Sequence, residues 1–478
     1  MTITIQSSGI SLDLPTDGNI NIEASNPIFS ASGSMTLPLS LPVTPHNCKV
    51  LEFPNRLDVV VENNIRPLPD IPVLVTQGTW QRPGLLSLLS FSSDGIEVSV
   101  LFTESTIWSQ LEGLKLSDIF KSKRFTPDGG PSRSQTYTAL NDLVKKYGPP
   151  NWNSPIGDEF AVLPVAYSES EQINEVGVNS TTGVSYLAHR AENPNYLNYT
   201  VHLRLDFVLH YIMQSIGKEL IIDYPSNPPF TTFDKVVIVN NTMDTITPGF
   251  IPYEVLVPDI KVKDFLLNIC AQYGCALFSE KYSIVHLRFI SEIFKSSPIQ
   301  IDYETVLQAI EYNHNGDYDF AGQMSGLDKA KFRVLPLGQI DVAPYFVTYN
   351  IPVVDGRRQM TTTTFLDGED TTLDAKCPFT LIALSGANAD GNPTLGVPSS
   401  DDDTKPTIAQ QCNKPYTDAV AKGCHMLTVN AYMTKMQIQK VCLYRPVLFA
   451  NRLCLIKKIQ YRLEDKNLIP VTMTLLTI

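Results

Sequence analysis

Seven histidines, eight cysteines and two knots of carboxylates are the residues of this chain equipped for metal binding, nucleophilic attack or proton transfer. The histidines are His46, His189, His202, His210, His286, His314 and His425. They are scattered, and no H-E-x-x-H sets two imidazoles on one helix face around zinc. His202 and His210 stand eight apart, at the start and middle of an expected helix. Two helical turns separate them, too far for one shared metal, so each reads as a satisfied helix histidine. The cysteines are Cys48, Cys270, Cys275, Cys377, Cys412, Cys424, Cys442 and Cys454. No C-x-x-C occurs and the spacing fits no zinc module. Cys270, Cys442 and Cys454 lie among apolar neighbours, where a free thiol acts as a small core residue.

Cys424 and His425 would be a thiol and a base, but they are adjacent. On a strand, adjacent side chains face opposite ways and cannot form a nucleophile–base pair. Glu369, Asp370 and Asp374, and the run Asp401 to Asp403, offer the carboxylates of a calcium site or a glycosidase. The Gly-centred ligand rhythm of a calcium loop is absent, so solvated acidic loops are expected. No phosphate loop, dinucleotide fingerprint or G-x-S-x-G elbow is present; Gly217-Lys218 lacks the upstream glycine and the following hydroxyl. No catalytic, cofactor-binding or metal-binding residue is therefore assigned, and a protein that is not an enzyme is expected.

Composition narrows the classes further. The chain has 478 residues, enough for about three or four domains at roughly 100–200 residues each. It is 43% hydrophobic and 18% charged, which supports real cores. The net charge is −12. Short basic runs (Lys121, Lys123 and Arg124; Lys145 and Lys146; Lys457 and Lys458) are solvated faces rather than a phosphate-gripping stripe. The N-terminus has no basic segment followed by an apolar one, and no apolar run reaches the roughly 20 residues that cross a bilayer. A soluble chain made in a cytoplasm, with no membrane insertion, is expected.

The elements follow from periodicity. Alternation at Ile3/Ile5, Leu12/Leu14, Ile20/Ile22 and Met35/Leu37/Leu39/Leu41 predicts strands, with Pro38 and Pro42 confining the last to an edge. Leu85 to Phe91 and Ile96 to Phe102 flank Ser92-Ser93-Asp94-Gly95, a hairpin whose Asp-Gly would supply positive φ angles. Residues 121–200 are rich in Pro, Gly, Ser, Asn and Thr and read as connecting loops, with one short helix from Thr138 to Tyr147. Leu203 to Ile216 and Val262 to Tyr273 have helical spacing and end at Gly217 and Gly274. Leu220 to Ile222 follows the first as a strand; Cys275 to Phe278 and Ile284 to Ile290 follow the second as a hairpin. Asp206-Phe207-Val208-Leu209 and Asp264-Phe265-Leu266-Leu267 make this a weak internal repeat. Residues 367–403 again read as loop, and a helix near Pro415 to Lys422 precedes closing strands at 453–463 and 471–475.

Three stretches resemble the baseplate hub proteins of tailed bacteriophages and prophages. The first runs Ser25-Asn26-Pro27-Ile28-Phe29 into Gly33-Ser34-Met35-Thr36-Leu37-Pro38-Leu39-Ser40-Leu41-Pro42, then Thr44-Pro45-His46-Asn47. The second is Val262 to Phe278 with its Gly274. The third comprises Arg445-Pro446-Val447-Leu448, Leu455 to Tyr461 and Pro470 to Leu475. The resemblance implies an α+β, β-rich multidomain fold with hub-type β-barrel domains and small helix–hairpin α/β modules. The expected parts are an N-terminal tube-like barrel at 1–120, a loop-rich connecting segment at 121–200, helix–hairpin modules at 201–300, and a second barrel at 301–478 with a loop insertion at 367–403. The domains can be discontinuous.

It further implies a homotrimeric ring at the tail tip that joins the tail tube to the distal parts. Its partners would be other copies of itself, the tail tube and distal tail proteins, the tape-measure protein, and tip, spike or fibre proteins. DNA would pass without specific binding. The expected location is the virion tail, assembled in the bacterial host cytoplasm. Alternatives are a distal-tail ring protein, a receptor-binding adhesin or a tail-borne cell-wall hydrolase. The 26 glycines, about 5% of the chain, fall below the roughly 7% average and speak against a fibrous adhesin.

Overall fold

Alternation of apolar and polar residues marks several of the first seven strands, because successive side chains on a strand face opposite ways. The computed structural model describes residues 1–15, 19–29, 34–36, 38–52, 70–102, 104–147, 159–162, 199–230, 232–239, 245–246, 248–281, 283–300, 408–421 and 424–478, with shorter stretches between 165 and 187 and strand backbones between 305 and 396. The seven are β1 (Thr2–Ile5), β2 (Ile20–Ser25), β3 (Ser34–Thr36), β4 (Leu39–Leu41), β5 (Ile71–Gln77), β6 (Trp80–Phe91) and β7 (Ile96–Phe102). In β7, Ile96, Val98, Val100 and Phe102 are buried while the residues between them are not. Pro38 lies between β3 and β4, and among the described residues β4 pairs with β7 alone. The β6–β7 hairpin forms as its alternation predicts, but the role of its glycine differs. Gly95 does not take a positive φ. An ideal Cβ there would fall 2.1 Å from the Ser40 hydroxyl on β4, so a side chain at this position would force that hydroxyl to turn away. A short helix α1 (Pro45–Val50) is capped by the Thr44 hydroxyl, which accepts from the Asn47 N–H.

The middle of the chain packs around a second core. It contains α2 (Glu104–Gln110), α3 (Leu116–Phe120), β8 (Arg124–Phe125), α4 (Arg133–Tyr147), β9 (Phe160–Ala161), β10 (His202–Leu203), α5 (Leu205–Ser215), β11 (Glu219–Asp223), β12 (Val236–Val239), β13 (Ile251–Pro252), α6 (Val262–Tyr273), β14 (Cys275–Lys281), β15 (Ile284–Phe289) and α7 (Ile290–Lys295). Helix α5 buries Leu205, Val208, Leu209, Ile212 and Met213, the stripe its spacing predicts. Helix α6 does the same with Val262, Phe265, Leu266, Ile269 and Tyr273. Gly274 ends α6 at φ 58° and ψ 50°, and its N–H donates to the Cys270 carbonyl.

Three expectations are corrected here. The helix in the 121–200 segment begins at Arg133 rather than Thr138. Its first turn is polar and so looked like loop, but the Thr136 hydroxyl is satisfied on the carbonyls of Ser132 and Gly249, both at 2.9 Å, while Leu140 and Val144 enter the core. The segment also supplies β8, which pairs with β13, and β9, which pairs with β10. The second correction is His202. It lies on β10 rather than at a helix start, because pairing with Ala161 and an extended Arg204 delay the helix to Leu205. Third, the internal repeat is only partial. β14 and β15 form the predicted hairpin, whereas β11 has no hairpin of its own and joins the same sheet by pairing parallel to β15.

The last third returns to the first sheet. Its strands are β16 (Ile299–Gln300), β17 (Thr305–Tyr312), β18 (Thr380–Ala387), β19 (Pro393–Gly396), β20 (His425–Thr434), β21 (Val447–Phe449), β22 (Arg452–Leu463) and β23 (Leu468–Thr477), with helices α8 (Ile408–Ala421) and α9 (Lys435–Lys440). The residues at 367–403 are not all loop. β18 and β19 form a hairpin there, and β18 pairs with β12 of the middle segment. Glu369 and Asp370 lie on a strand paired with residues 363–366; Asp374 and Asp401 to Asp403 lie outside the described residues.

One sheet of thirteen strands joins both ends of the chain, in the order β1-β5-β6-β7-β3-β2-β22-β23-β20-β17, with β4, β16 and β21 attached at its side. The seam is the antiparallel pair β2–β22, from Ile20 opposite Leu463 to Ser25 opposite Lys458. The sheet curls into a half barrel, and side chains from both chain ends fill one core inside it. Trp80 on β6 and Tyr461 on β22 meet there, although β7, β3 and β2 separate their strands in the sheet. A smaller core lies between the outer face of this sheet (Leu455, Leu476) and Ala276, Phe278, Ile293, Tyr416 and Ala419. The architecture is α+β and rich in sheet.

Candidate functional site

The residues singled out from the sequence are not brought together. Cys424 is buried against α7 and α8, and burial raises its thiol, which opposes the thiolate a nucleophile needs. His425 begins β20, and its backbone N–H donates to the Thr477 hydroxyl at 2.7 Å. Burial lowers the imidazole of His202 to about 3, so it is neutral. His210 stands on α5, with Nδ1 2.8 Å from the Asp206 carbonyl, one turn back along the same helix. Cys270, Cys275 and Cys412 share the middle core, and burial pushes Cys412 up to about 12 and Cys275 also upward. Among the described residues, every cysteine is free and no group of His, Cys, Asp and Glu has the arrangement of a metal site.

Two polar clusters have geometry that the sequence did not reveal. On the three-stranded sheet, His286 Nδ1 lies 3.0 Å from Asp223 Oδ2, and Arg288 Nε lies 3.4 Å from the same oxygen. A His–Asp pair would orient an imidazole for catalysis if a nucleophile stood at its other nitrogen. The strand neighbours of His286 are Ile221 and Phe278, which carry no hydroxyl or thiol. Asp223 also steadies Arg288, whose guanidinium stacks 3.9 Å from the centre of the Tyr444 ring. Tyr444 precedes β21 of the large sheet, so the cluster clasps the small α/β unit to the half barrel. Arg445 extends the clasp by donating from Nη2 to the Ser297 carbonyl at 2.7 Å. The second cluster is Asp206, His210 and Asp234. Burial raises the Asp206 carboxyl, Asp234 adds to this, and His210 opposes it.

The margins of the large sheet differ. The outer edge of β1 is covered by the chain doubling back: Ile5 donates to the Ile10 carbonyl and Leu12 to the Ile3 carbonyl, both at 2.8 Å. At the other end of the sheet, β17 pairs with β20 on one side, and no second partner stands among the described residues. Tyr432, Met436 and Leu468 are exposed. They sit near one end of the β20–β23 ladder, where Tyr432 faces Pro470 and Leu468 faces Thr434. Sequence reasoning missed this group. Tyr432 and Leu468 lie in separate segments, and the strand register brings them to one end of the ladder.

No family model and no curated protein matches the chain. Similar solved structures include the 43 kDa tail protein of prophage MuSo2 from Shewanella oneidensis, 11% identical, with a TM-score of 0.36 over 99% of this chain and 96% of that one. A tail protein from Neisseria meningitidis is 9% identical, with a TM-score of 0.34 over 99% of this chain and 95% of that one. An E. coli type VI secretion component, described as structurally similar to the T4 bacteriophage tail proteins gp27 and gp5, is 6% identical, with a TM-score of 0.29 over 100% of this chain and 77% of that one. These three are a prophage tail protein, a tail protein and a secretion component likened to tail proteins.

Proposed function

We propose that this chain is a structural protein of a bacteriophage tail, a hub-like subunit that forms a ring at the tail tip. In that role it joins the tail tube to the distal parts and surrounds the channel used by the tape-measure protein and by DNA. One observation carries the reading. Two of the three stretches that resemble hub proteins stand at opposite ends of the sequence, yet Ser25 of the first pairs with Lys458 of the third, and the Asn26 side-chain amide donates to the Ile456 carbonyl at 2.8 Å. A fold that spends both its ends on one curved sheet, with helical parts outside it, suits a wall segment of a ring. Closure in such a ring comes from copies of the chain set side by side, and a homotrimer is the arrangement the resemblance implies. The net charge of −12 fits a conduit that repels phosphates so that DNA passes without sticking.

The test is to label the protein in intact particles. Virions carrying an epitope after Ile478 are imaged with gold-coupled antibody, and purified protein is weighed by light scattering in the presence of its tail-tube neighbour. Label at the distal tail end and a mass of three chains support the reading. Label along fibres would favour the receptor-binding alternative, and absence of label from the particles would end both. Release of peptidoglycan fragments by the purified protein would instead make it a wall hydrolase.

A further inference from the structure

The strap formed by residues 121–125 is fastened by an ammonium site. Lys123 Nζ lies 5.6 Å from the ring centres of both Phe207 and Tyr211, and 5.9 Å from that of Tyr253. The Glu159 carboxylate closes the open side at 2.7 Å. The site is built rather than incidental. Phe207 and Tyr211, one turn apart on α5, stack at 5.8 Å, and Phe207 meets Tyr253 edge-on at 5.8 Å. Phe120 backs the pair, 4.8 Å from Tyr211 and 6.1 Å from Phe207. The Tyr253 hydroxyl donates to the other oxygen of Glu159, so the carboxylate is held in place before any cation arrives. The Tyr253 N–H donates to the Lys123 carbonyl at 3.0 Å, which fixes the root of the lysine beside the rings. The next residue grips the opposite side: the Arg124 guanidinium lies 5.2 Å from the Phe250 ring.

Aromatic faces with a carboxylate are the chemistry that receptors use for alkylammonium ions, because the ring quadrupole attracts a cation without fully replacing its water. We propose that Phe207, Tyr211, Tyr253 and Glu159 form an alkylammonium-binding cage occupied in cis by Lys123, and that this occupancy latches the 121–125 strap onto α5. When Lys123 is removed, the vacated cage accepts a small primary alkylammonium ion, and the strap is held again only while that ion is bound. Lys123 is a latch residue, not a catalytic one.

The experiment is chemical rescue in the full chain. Lys123→Ala removes three methylenes and the ammonium, the size and charge of n-propylammonium. Strap opening is read as the rate of chymotryptic cleavage after Phe125, which is the next strap residue beyond Arg124. Loss of the latch raises that rate about tenfold, and n-propylammonium chloride at about 100 mM returns it to within about threefold of wild type. Sodium chloride and n-propanol at the same concentration leave it raised. If the amine restores nothing, or if n-propanol restores as much, the cage does not recognise an ammonium ion and the proposal falls. Lys123→Met keeps the packing without the charge and serves if the alanine variant fails to fold. Cleavage several-fold faster than wild type supports the latch, and wild-type cleavage overturns it.

Discussion

Leu463→Ala is expected to weaken a core that both chain ends build, and its coupling to Ile20→Ala measures that sharing. Both side chains are essentially buried, with relative exposures of 0% and 1%, and they are direct partners across the β2–β22 seam. Truncating a fully buried Leu or Ile costs about 2–5 kcal/mol, from lost transfer energy and the cavity left behind. Each single variant should therefore lose about 3 kcal/mol. The double variant should lose less than the sum by about 1 kcal/mol, because the second truncation enlarges a cavity already open instead of creating one. Trp80 lies in the same core and can report on it. In a Trp108→Phe, Trp152→Phe background it is the only tryptophan, so urea unfolding followed by fluorescence reads the half barrel without the middle core. Additivity within about 0.3 kcal/mol would show that residues 20 and 463 do not touch, and would refute the seam.

Arg288→Ala should cost about 1–2 kcal/mol in denaturation, through loss of the stack on Tyr444, and Arg288→Lys should not restore it because an ammonium lacks the planar face. Gly274→Ala should destabilise by about 2–4 kcal/mol, since a Cβ would meet the Cys412 carbonyl oxygen at 2.8 Å and L residues resist positive φ. Gly217→Ala, at φ 70° but with open space around it, should cost only about 1 kcal/mol; equal losses at the two sites would remove the steric argument. The depressed pKa of His202 makes stability depend on acid. Its contribution is complete above its unfolded value near 6.5 and is lost as pH falls from there toward about 3, because the unfolded chain takes up a proton that the folded one refuses. His202→Gln should flatten that part of the pH–stability curve, and an unchanged slope would contradict the assignment.

Much of the local structure was legible in the sequence because it depends on neighbours in the chain. The period-two runs of β7 and β23 and the helical stripes of α5 and α6 announce which face is buried, whatever lies opposite. Gly217 and Gly274 mark helix ends for a similarly local reason. The start of α4 was hidden because its first turn is polar, and its core contacts come later, at Leu140 and Val144. The lack of an assigned reaction centre also rested on local text, namely motifs that require fixed spacing.

What the sequence could not contain is the identity of a strand's partner beyond its own hairpin. Ile20 and Ile22 need an apolar layer above them and a strand beside them, and several runs in this chain satisfy that need equally well. Only the folded chain decides that β22 is the neighbour of β2, that β11 lends itself to the sheet of β14 and β15, and that Lys123 meets three rings drawn from two other segments. The reason is physical. Alternation fixes which way a side chain points, while register and pairing are settled by the collective filling of one core, to which residues hundreds of positions apart contribute together.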